Sequence, residues 1–315
     1  MVSFRMTAFW RLTLLCLILT STVTLDAVAK TKPWHKYENK YFVAYSDASE
    51  KDVRQLLEDL ESFRAAVIQL NGSRVPEGSV KTRVIIFRSK EQYRETIHRD
   101  SIDAYTVGIQ GVPHIVMSAE GTSEWSRTTI RHEFNHVLQG YSGAQLPLWY
   151  FEGVAEFMSG MTFRKKNTEF VVGGSSRRSK SHEPFVDWDE LISDEFSFDQ
   201  ISSGAQASNA YFQSGLLVRY LWSRDDFSHN EGLNRYLTLY SQGETSTNAF
   251  SEAFGESANE MGSRIYEQYR NRFDTKAHQF LPESQDYNFV QSAVGLDTVI
   301  EFVDDLKTLD REQSN

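Results

Sequence analysis

The hydrophobic positions after residue 40 follow two different periods, and these predict strands and helices in turn. Short apolar runs at residues 40–45 and 80–87 are rich in aromatic and β-branched side chains, which predicts two strands. Between them, apolar residues recur every three or four positions over residues 48–70, which predicts an amphipathic helix that ends near Asn71-Gly72. The stripe of this helix consists of Val53, Leu56, Leu57, Leu60, Phe63 and Val67. The first third of the chain therefore has an α/β pattern.

A third extended run, residues 104–117, carries Gly108, Gly111 and Pro113. Because proline cannot donate to a sheet ladder and glycine weakens a strand, this run predicts an edge strand or a hairpin rather than a central strand.

Two helices are predicted after this run, and from Phe185 onward the pattern becomes mostly helical. Ser123 can cap a helix that Gly140 ends, and Pro147 and Gly160 bracket a second helix. The apolar face of the first of these helices consists of Ile130, Phe134, Val137 and Leu138. Further helices are predicted at residues 210–222, 231–240, 257–273 and 296–309.

Length and composition describe a folded, acidic chain. Its 315 residues with 40% hydrophobic content can form one large domain or two lobes around a cleft, which excludes a disordered protein. The formal net charge of −10 argues against nucleic acid as a partner, because phosphate binding depends on clustered lysine and arginine. A basic cluster at residues 177–180 lies in a Gly/Ser-rich stretch and indicates a solvated loop.

The first 29 residues have the organisation of a secretory signal peptide. Arg5 and Arg11 come first, an apolar run occupies residues 12–25, and small residues at 27–29 suit cleavage after Ala29. An uncleaved membrane anchor is the alternative, but the apolar run is shorter than the roughly 20 residues of a spanning helix. We therefore expect a secreted or periplasmic protein with no stable membrane insertion after cleavage.

The single cysteine, Cys16, lies inside this leader. A mature chain without it has no disulfides, no thiolate ligands and no cysteine nucleophile. The leader also contains Arg5, Arg11 and Asp26, so its removal from 33 basic and 43 acidic residues leaves 31 and 42. Cysteine chemistry is thereby excluded, and the acidic balance persists.

The segment His132-Glu133-Phe134-Asn135-His136 has the residue spacing of a zinc-dependent hydrolase. Residues four apart on a helix differ by about 40° in azimuth and roughly 6 Å in rise, so both imidazoles can face one ion. The carboxylate of Glu133 can then take a proton from metal-activated water instead of serving as a ligand. A chance match is the alternative, and the motif by itself does not exclude it.

Two histidines leave a catalytic zinc one protein ligand short. Glu152 is the best candidate, because it follows His136 by sixteen residues, which is enough chain for a turn and a second helix that crosses the first. Glu156, one turn later, could accept the free ring N–H of His132 or His136. Gly153 costs about 1 kcal/mol inside a helix, which is tolerable if two helices approach closely there. Two solvated surface glutamates are the alternative.

Three segments of the chain resemble the gluzincin metallopeptidases and, within them, the peptidase MA-like family of exported bacterial proteins. The segments are RHEFNHVLQG at 131–140, LPLWYFEGVAEF at 146–157 and AYFQSGLLVRYL at 210–221. The resemblance covers roughly residues 35–275. A metzincin would have glycine and histidine where this chain has Gln139 and Ser142, so that subclass is ruled out.

The resemblance implies roles for individual residues. It makes Glu152 the third zinc ligand and Glu156 the residue that orients a ligating histidine. In aminopeptidase relatives, a segment similar to 211–221 carries a tyrosine that stabilises the oxyanion, and Tyr211 matches it, although the small residues are shifted by one. The strand by which aminopeptidases hold a free amino terminus has no counterpart, so exopeptidase activity is not supported. The strand at 108–117 could instead pair with an extended peptide.

The fold that the resemblance implies is α+β and zincin-like. After the signal peptide at residues 1–29, we expect an N-terminal lobe over residues 30–122 with a mixed β-sheet and helices. Residues 123–275 would hold the zinc-site helices and a mostly helical C-terminal lobe, with the active-site helix between the lobes. Residues 276–315 would form a C-terminal extension.

The resulting hypothesis is an exported zinc metallopeptidase that acts on a peptide or protein substrate. Zinc would be held by His132, His136 and Glu152, with Glu133 as general base and Tyr211 beside the oxyanion. Two alternatives stay open. One is a non-catalytic envelope assembly or peptide-binding protein that retains the fold, and the other is a zinc hydrolase for a non-peptide bond.

Overall fold

A computed structural model gives the fold of the chain. The structure describes residues 32–71, 79–97, 104–109, 111–120, 124–141, 143–164, 169–172, 185–201, 203–223, 231–270, 276–279, 286–295, 298–299, 301 and 304. The predicted signal peptide at 1–29 and the predicted cap Ser123 lie outside these residues.

A six-stranded mixed sheet dominates the N-terminal part, in the spatial order β4-β5-β3-β2-β1-β9. Its strands are β1 His35–Glu38, β2 Phe42–Ser46, β3 Thr82–Phe87, β4 Ala104–Ile109, β5 Val112–Ser118 and β9 Val290–Ala293. Strands β2, β3 and β5 run parallel to one another, whereas β4 pairs antiparallel with β5, β1 with β2, and β9 with β1. The prediction of a mixed N-terminal sheet is confirmed.

The run at residues 104–117 forms the predicted hairpin. Its strands β4 and β5 pair antiparallel around Gly111, whose φ of 77° lies in the left-handed region that glycine adopts at low cost. Strand β4 lies at the end of the sheet, so the prediction of an edge strand is confirmed for residues 104–109. It is wrong for β5, which contains Pro113 and lies between β4 and β3.

Both faces of the sheet are buried, which explains the near-continuous apolar sequence of β3. Val84 and Ile86 point into the main core together with the stripe of helix α1 (Glu50–Asn71). Ile85 and Phe87 point to the opposite face, where helix α2 (Lys90–Ile97) contributes to a smaller cluster. Parallel strands covered on both faces have this composition in general.

Strand β2 begins two residues later than the sequence pattern predicts. The side-chain oxygen of Asn39 accepts hydrogen bonds from the backbone N–H groups of Tyr41 and Phe42, at 2.9 and 2.8 Å. An asparagine turn of this kind competes with strand pairing, so the extended segment starts at Phe42.

The C-terminal part is mostly helical, as predicted. Its helices are α3 Glu124–Gly140, α4 Leu148–Ser159, α5 Trp188–Leu191, α6 Gly204–Ser223, α7 Glu231–Ser241, α8 Ser246–Phe254 and α9 Ala258–Arg270. Helix α4 packs against both α3 and α6, and α3 also contacts α1 and β4 of the N-terminal part. Of the predicted helix at 296–309, residues 298, 299, 301 and 304 are helical and the others lie outside the described residues.

Strands at the end of the chain join both sheets of the molecule. Strand β8 (Lys276–Gln279) pairs with β7 (Glu169–Val172), which pairs with β6 (Thr162–Arg164) in a three-stranded sheet. Strand β9 pairs with β1 at the end of the large sheet opposite β4. The domain boundaries expected from the sequence stay a prediction. No described helix combines the length and the apolar content that crossing a membrane requires.

Candidate metal centre

Helix α3 is held against the sheet by its apolar side. Phe134 is buried and its ring lies 5.2 Å from that of Phe42 and 6.2 Å from that of Phe63. This packing fixes the rotation of the helix, so that His132 and His136 face helix α4.

Two polar contacts also fix α3. The guanidinium of Arg131 donates to both carboxylate oxygens of Asp59 on α1, and its third bond goes to the carbonyl of Met161 at 2.7 Å. At the other end, the side-chain amide of Gln139 donates to the carbonyl of Phe151 at 3.0 Å, which ties α3 to the first turn of α4. The sequence analysis assigned neither Arg131 nor Gln139 a role.

The structure brings His132, His136 and Glu152 together. The Oε2 atom of Glu152 lies 3.2 Å from Nε2 of His132 and 3.4 Å from Nε2 of His136. One nitrogen or oxygen atom from each residue lies within 4.8 Å of the others, and the group could hold a metal ion. Its three side chains are largely withdrawn from solvent, with 8%, 15% and 14% exposure.

The hydrogen bonding of these atoms fits a cation. Among the described residues, Oε2 of Glu152 is buried and has no hydrogen-bond partner, although the Nε2 atoms of both histidines lie within 3.4 Å of it. Buried polar atoms are hydrogen-bonded in the large majority of cases, so this unsatisfied carboxylate oxygen needs an explanation. Imidazole nitrogens and a carboxylate oxygen that converge in this way are the donor set of a divalent metal.

Two of the three side chains, His132 and Glu152, have shifted pKa values. Burial opposes the charge on His132, but the carboxylates of Glu152 and Glu156 outweigh it and raise the pKa of His132 to about 9. Burial likewise opposes the charge on Glu152, yet the imidazoles of His132 and His136 lower its pKa to about 2. A metal ion at these atoms would compete with the proton that the two carboxylates favour on His132.

Glu156 lies behind His132, on the side away from Glu152. Its Oε2 atom is 3.6 Å from Nδ1 of His132, and its residue is buried. Helix α6 covers it closely: a Cβ on Gly215 would lie 2.8 Å from Cγ of Glu156. The expected position of Glu156 next to a ligating histidine agrees with this geometry, and its orienting role stays a prediction.

Gly153 explains how α4 and α6 come so close. A Cβ at this position would lie 2.5 Å from the backbone oxygen of Ser214 and 2.8 Å from a methyl group of Val218. Only glycine fits there without a shift of backbone. The expectation that Gly153 permits a close helix approach is confirmed, with α6 as the partner.

Tyr211 lies on α6 next to the histidines. Its ring centroid is 6.1 Å from that of His132 at an interplanar angle of 76°, and it stacks on Phe198 at 4.1 Å. On the other side of the site, Phe151 stacks on His136 at 4.4 Å. Aromatic rings thus flank both histidines, and the sequence analysis had singled out neither phenylalanine.

Glu133 is half-buried on α3, one residue after His132. Its backbone carbonyl accepts a hydrogen bond from the hydroxyl of Thr106 at 3.0 Å. Because Thr106 belongs to β4, this bond connects the edge strand of the large sheet to the helix that carries the histidines.

A scan against protein-family models finds no match for the chain, and a search of curated proteins finds no similar one.

Proposed function

We propose that this protein is an exported zinc-dependent metallopeptidase with a zincin-like fold. The observation that carries the proposal is the convergence of His132, His136 and Glu152, whose ligand atoms lie within 4.8 Å of one another. Two histidines from one helix and a carboxylate from a second are three protein ligands, the number that catalytic zinc sites use while a fourth position takes water or substrate.

Each site residue has a role in the proposed reaction. His132, His136 and Glu152 would hold the zinc, which when bound acidifies water and polarises the scissile carbonyl. Glu133 accepts the proton of the attacking water and passes it to the leaving amine. The hydroxyl of Tyr211 donates a hydrogen bond to the oxyanion as it develops. Glu156, whose Oε2 lies 3.6 Å from Nδ1 of His132, would orient this histidine by accepting a hydrogen bond from that nitrogen, since such a bond fixes the tautomer.

The edge strand supports a peptide as the substrate. Strand β4 ends the large sheet, and Thr106 on this strand bonds to the backbone of Glu133. An extended peptide can add to such an edge by main-chain hydrogen bonds, which would carry its carbonyl groups past the base.

The deciding experiment measures metal content and cleavage of a peptide library by the purified mature chain. We expect bound zinc and peptide cleavage in the unchanged protein. Glu133→Gln should retain zinc and lose about 10³-fold in turnover, because the amide cannot take the proton. His132→Ala should lose zinc and turnover together. Glu58→Gln, the same change at an exposed position on α1, is the matched control.

The outcomes separate the alternatives. Normal turnover by Glu133→Gln would contradict Glu133 as the base. Bound zinc without cleavage of any peptide, ester or amide would favour a non-catalytic binding protein. Cleavage of ester or non-peptide amide substrates alone would favour a zinc hydrolase of another class.

A further inference from the structure

We propose that Phe198 is a positioning residue that holds the ring of Tyr211 beside the metal centre. The inference rests on the proposed function, in which the Tyr211 hydroxyl stabilises the oxyanion. It adds a residue from a separate segment of the chain, which none of the three motifs includes.

The contact between the two rings is close and nearly parallel. Their centroids are 4.1 Å apart and their planes differ by 15°. The same Tyr211 ring meets His132 at 6.1 Å and 76°. Tyr211 therefore has one face stacked on Phe198, while its ring also approaches a metal-ligating histidine.

Phe198 is itself fixed from outside the metal centre. It begins a 3₁₀ turn, Phe198–Gln200, in which the Ser197 hydroxyl accepts a hydrogen bond from the backbone N–H of Asp199 at 3.3 Å. The buried ring of Phe196 packs edge-on against Phe198 at 5.1 Å. The neighbouring Asp194 carboxylate accepts from the N–H of Ser246 at 2.9 Å, which ties the segment to α8.

The proposed role of Tyr211 requires that a neighbouring residue hold its ring in place. The residue is half-buried at the side of α6, and its hydroxyl is the side-chain atom furthest from the backbone, so a small rotation about the Cα–Cβ bond moves the hydroxyl most. A displacement of about 1 Å at a catalytic group can cost 100-fold in rate. A phenylalanine stacked on the face removes the rotations that would carry the hydroxyl away from the oxyanion.

The alternative role for Phe198 is that its ring forms a wall of the substrate pocket and contacts a substrate side chain directly. Loss of a wall weakens substrate binding and raises KM, whereas loss of positioning lowers kcat at unchanged KM. A wall would also act independently of Tyr211, whereas a positioning residue has no effect once the hydroxyl is gone.

The kinetic test is a double-mutant cycle on the zinc-loaded full chain. Phe198→Ala should lower kcat about tenfold with unchanged KM and zinc content, and Phe198→Tyr should restore kcat because it keeps the stack. In a Tyr211→Phe background, Phe198→Ala should change kcat by less than about twofold. Phe254→Ala, which removes a half-buried ring packed on Phe250, is the matched control and should leave kcat unchanged.

A second measurement does not depend on activity. In metal-free protein labelled with fluorotyrosine, the ¹⁹F resonance of Tyr211 is the one that Tyr211→Phe removes. Phe198→Ala should shift this resonance, because the ring current of the stacked phenyl group is lost, and Phe254→Ala should not. Loading with Co²⁺ should broaden the resonance more strongly in the unchanged chain than in Phe198→Ala.

An unchanged Tyr211 resonance in Phe198→Ala, a rise in KM alone, or additive losses in the double mutant would overturn the proposal. If the chain cleaves no peptide but the resonance responds as expected, the proposed peptidase function fails while the positioning of Tyr211 by Phe198 stands.

Discussion

Two neighbouring residues of helix α3, Arg131 and His132, carry buried ionisable side chains that differ in their hydrogen bonding. Arg131 has 2% side-chain exposure and is fully engaged, with both oxygens of Asp59 and the carbonyl of Met161 as partners. His132 next to it has an unsatisfied Nδ1 and faces the unsatisfied Oε2 of Glu152. The comparison places a buried charge that the fold satisfies next to a group of side chains that could hold a metal ion.

The largest expected effect comes from the loss of the ion pair between Arg131 and Asp59. Arg131→Met leaves the carboxylate of Asp59 without its cation, and removal of one partner of a buried pair costs about 3–5 kcal/mol. We expect this loss in the free energy of unfolding measured with urea. The double variant Arg131→Met with Asp59→Leu should recover part of it. A stability loss below 1 kcal/mol would mean that Arg131 does not anchor the helix.

The next largest effect comes from a change of Glu152, the carboxylate that faces the two histidines. Glu152→Gln removes the negative ligand, and we expect the affinity for zinc to fall by more than the tenfold to 100-fold that loss of an outer-shell partner causes. The metal-free variant should still unfold cooperatively, in contrast to the damage at Arg131. Competition with a chelating dye measures the affinity, and Glu267→Gln at an exposed position of α9 is the control. Unchanged zinc affinity would remove Glu152 from the ligand set.

A smaller effect tests the close approach of α4 and α6. Gly153→Ala places a methyl group 2.5 Å from the backbone oxygen of Ser214, and overpacking of this kind costs about 1–3 kcal/mol. Gly204→Ala, on α6 with no atom within 4 Å of the added Cβ, should be neutral or slightly stabilising. Thermal unfolding compares the two variants. Equal stability of both would contradict the packing described for α4.

The last effect is a graded dependence on pH in metal-free protein. The pKa of His132 rises from 6.5 to about 9 on folding, because Glu152 and Glu156 outweigh burial. The charged imidazole therefore stabilises the fold fully below pH 6.5, and this contribution is lost as the pH rises through 9. Urea unfolding with a chelator should show the advantage of the unchanged chain over His132→Gln shrinking across that interval. A constant difference would refute the raised pKa.

The local elements of the site could be predicted from the sequence because their signals are local. The stripes that define α1 and α3 are periodic, Pro147 and Gly160 bracket α4, and Gly153, next to Glu152, indicated a close contact between helices. The expected meeting of Glu152 with His132 and His136 required only one turn between two helices.

The remainder depends on contacts between residues far apart in the chain. Arg131 and Asp59 are 72 residues apart, and the sequence around either residue does not identify the other as its partner. From the sequence one could expect a buried arginine next to a metal motif to need a carboxylate partner. The sequence does not indicate which carboxylate that is. Likewise, β9 pairs with β1 across more than 250 residues, and its short sequence VQSA has no strand pattern of its own.

The pairing of β9 with β1 has a consequence for how the molecule is made. During synthesis, the large sheet cannot reach six strands until residues 290–293 have left the ribosome, so β1 keeps a row of open hydrogen-bonding groups until then. Proteolysis between residues 280 and 289, followed by dissociation of residues 290–293 from β1, would recreate that open row in the finished protein. Self-association of a clipped chain would start at β1, at the end of the sheet opposite the hairpin.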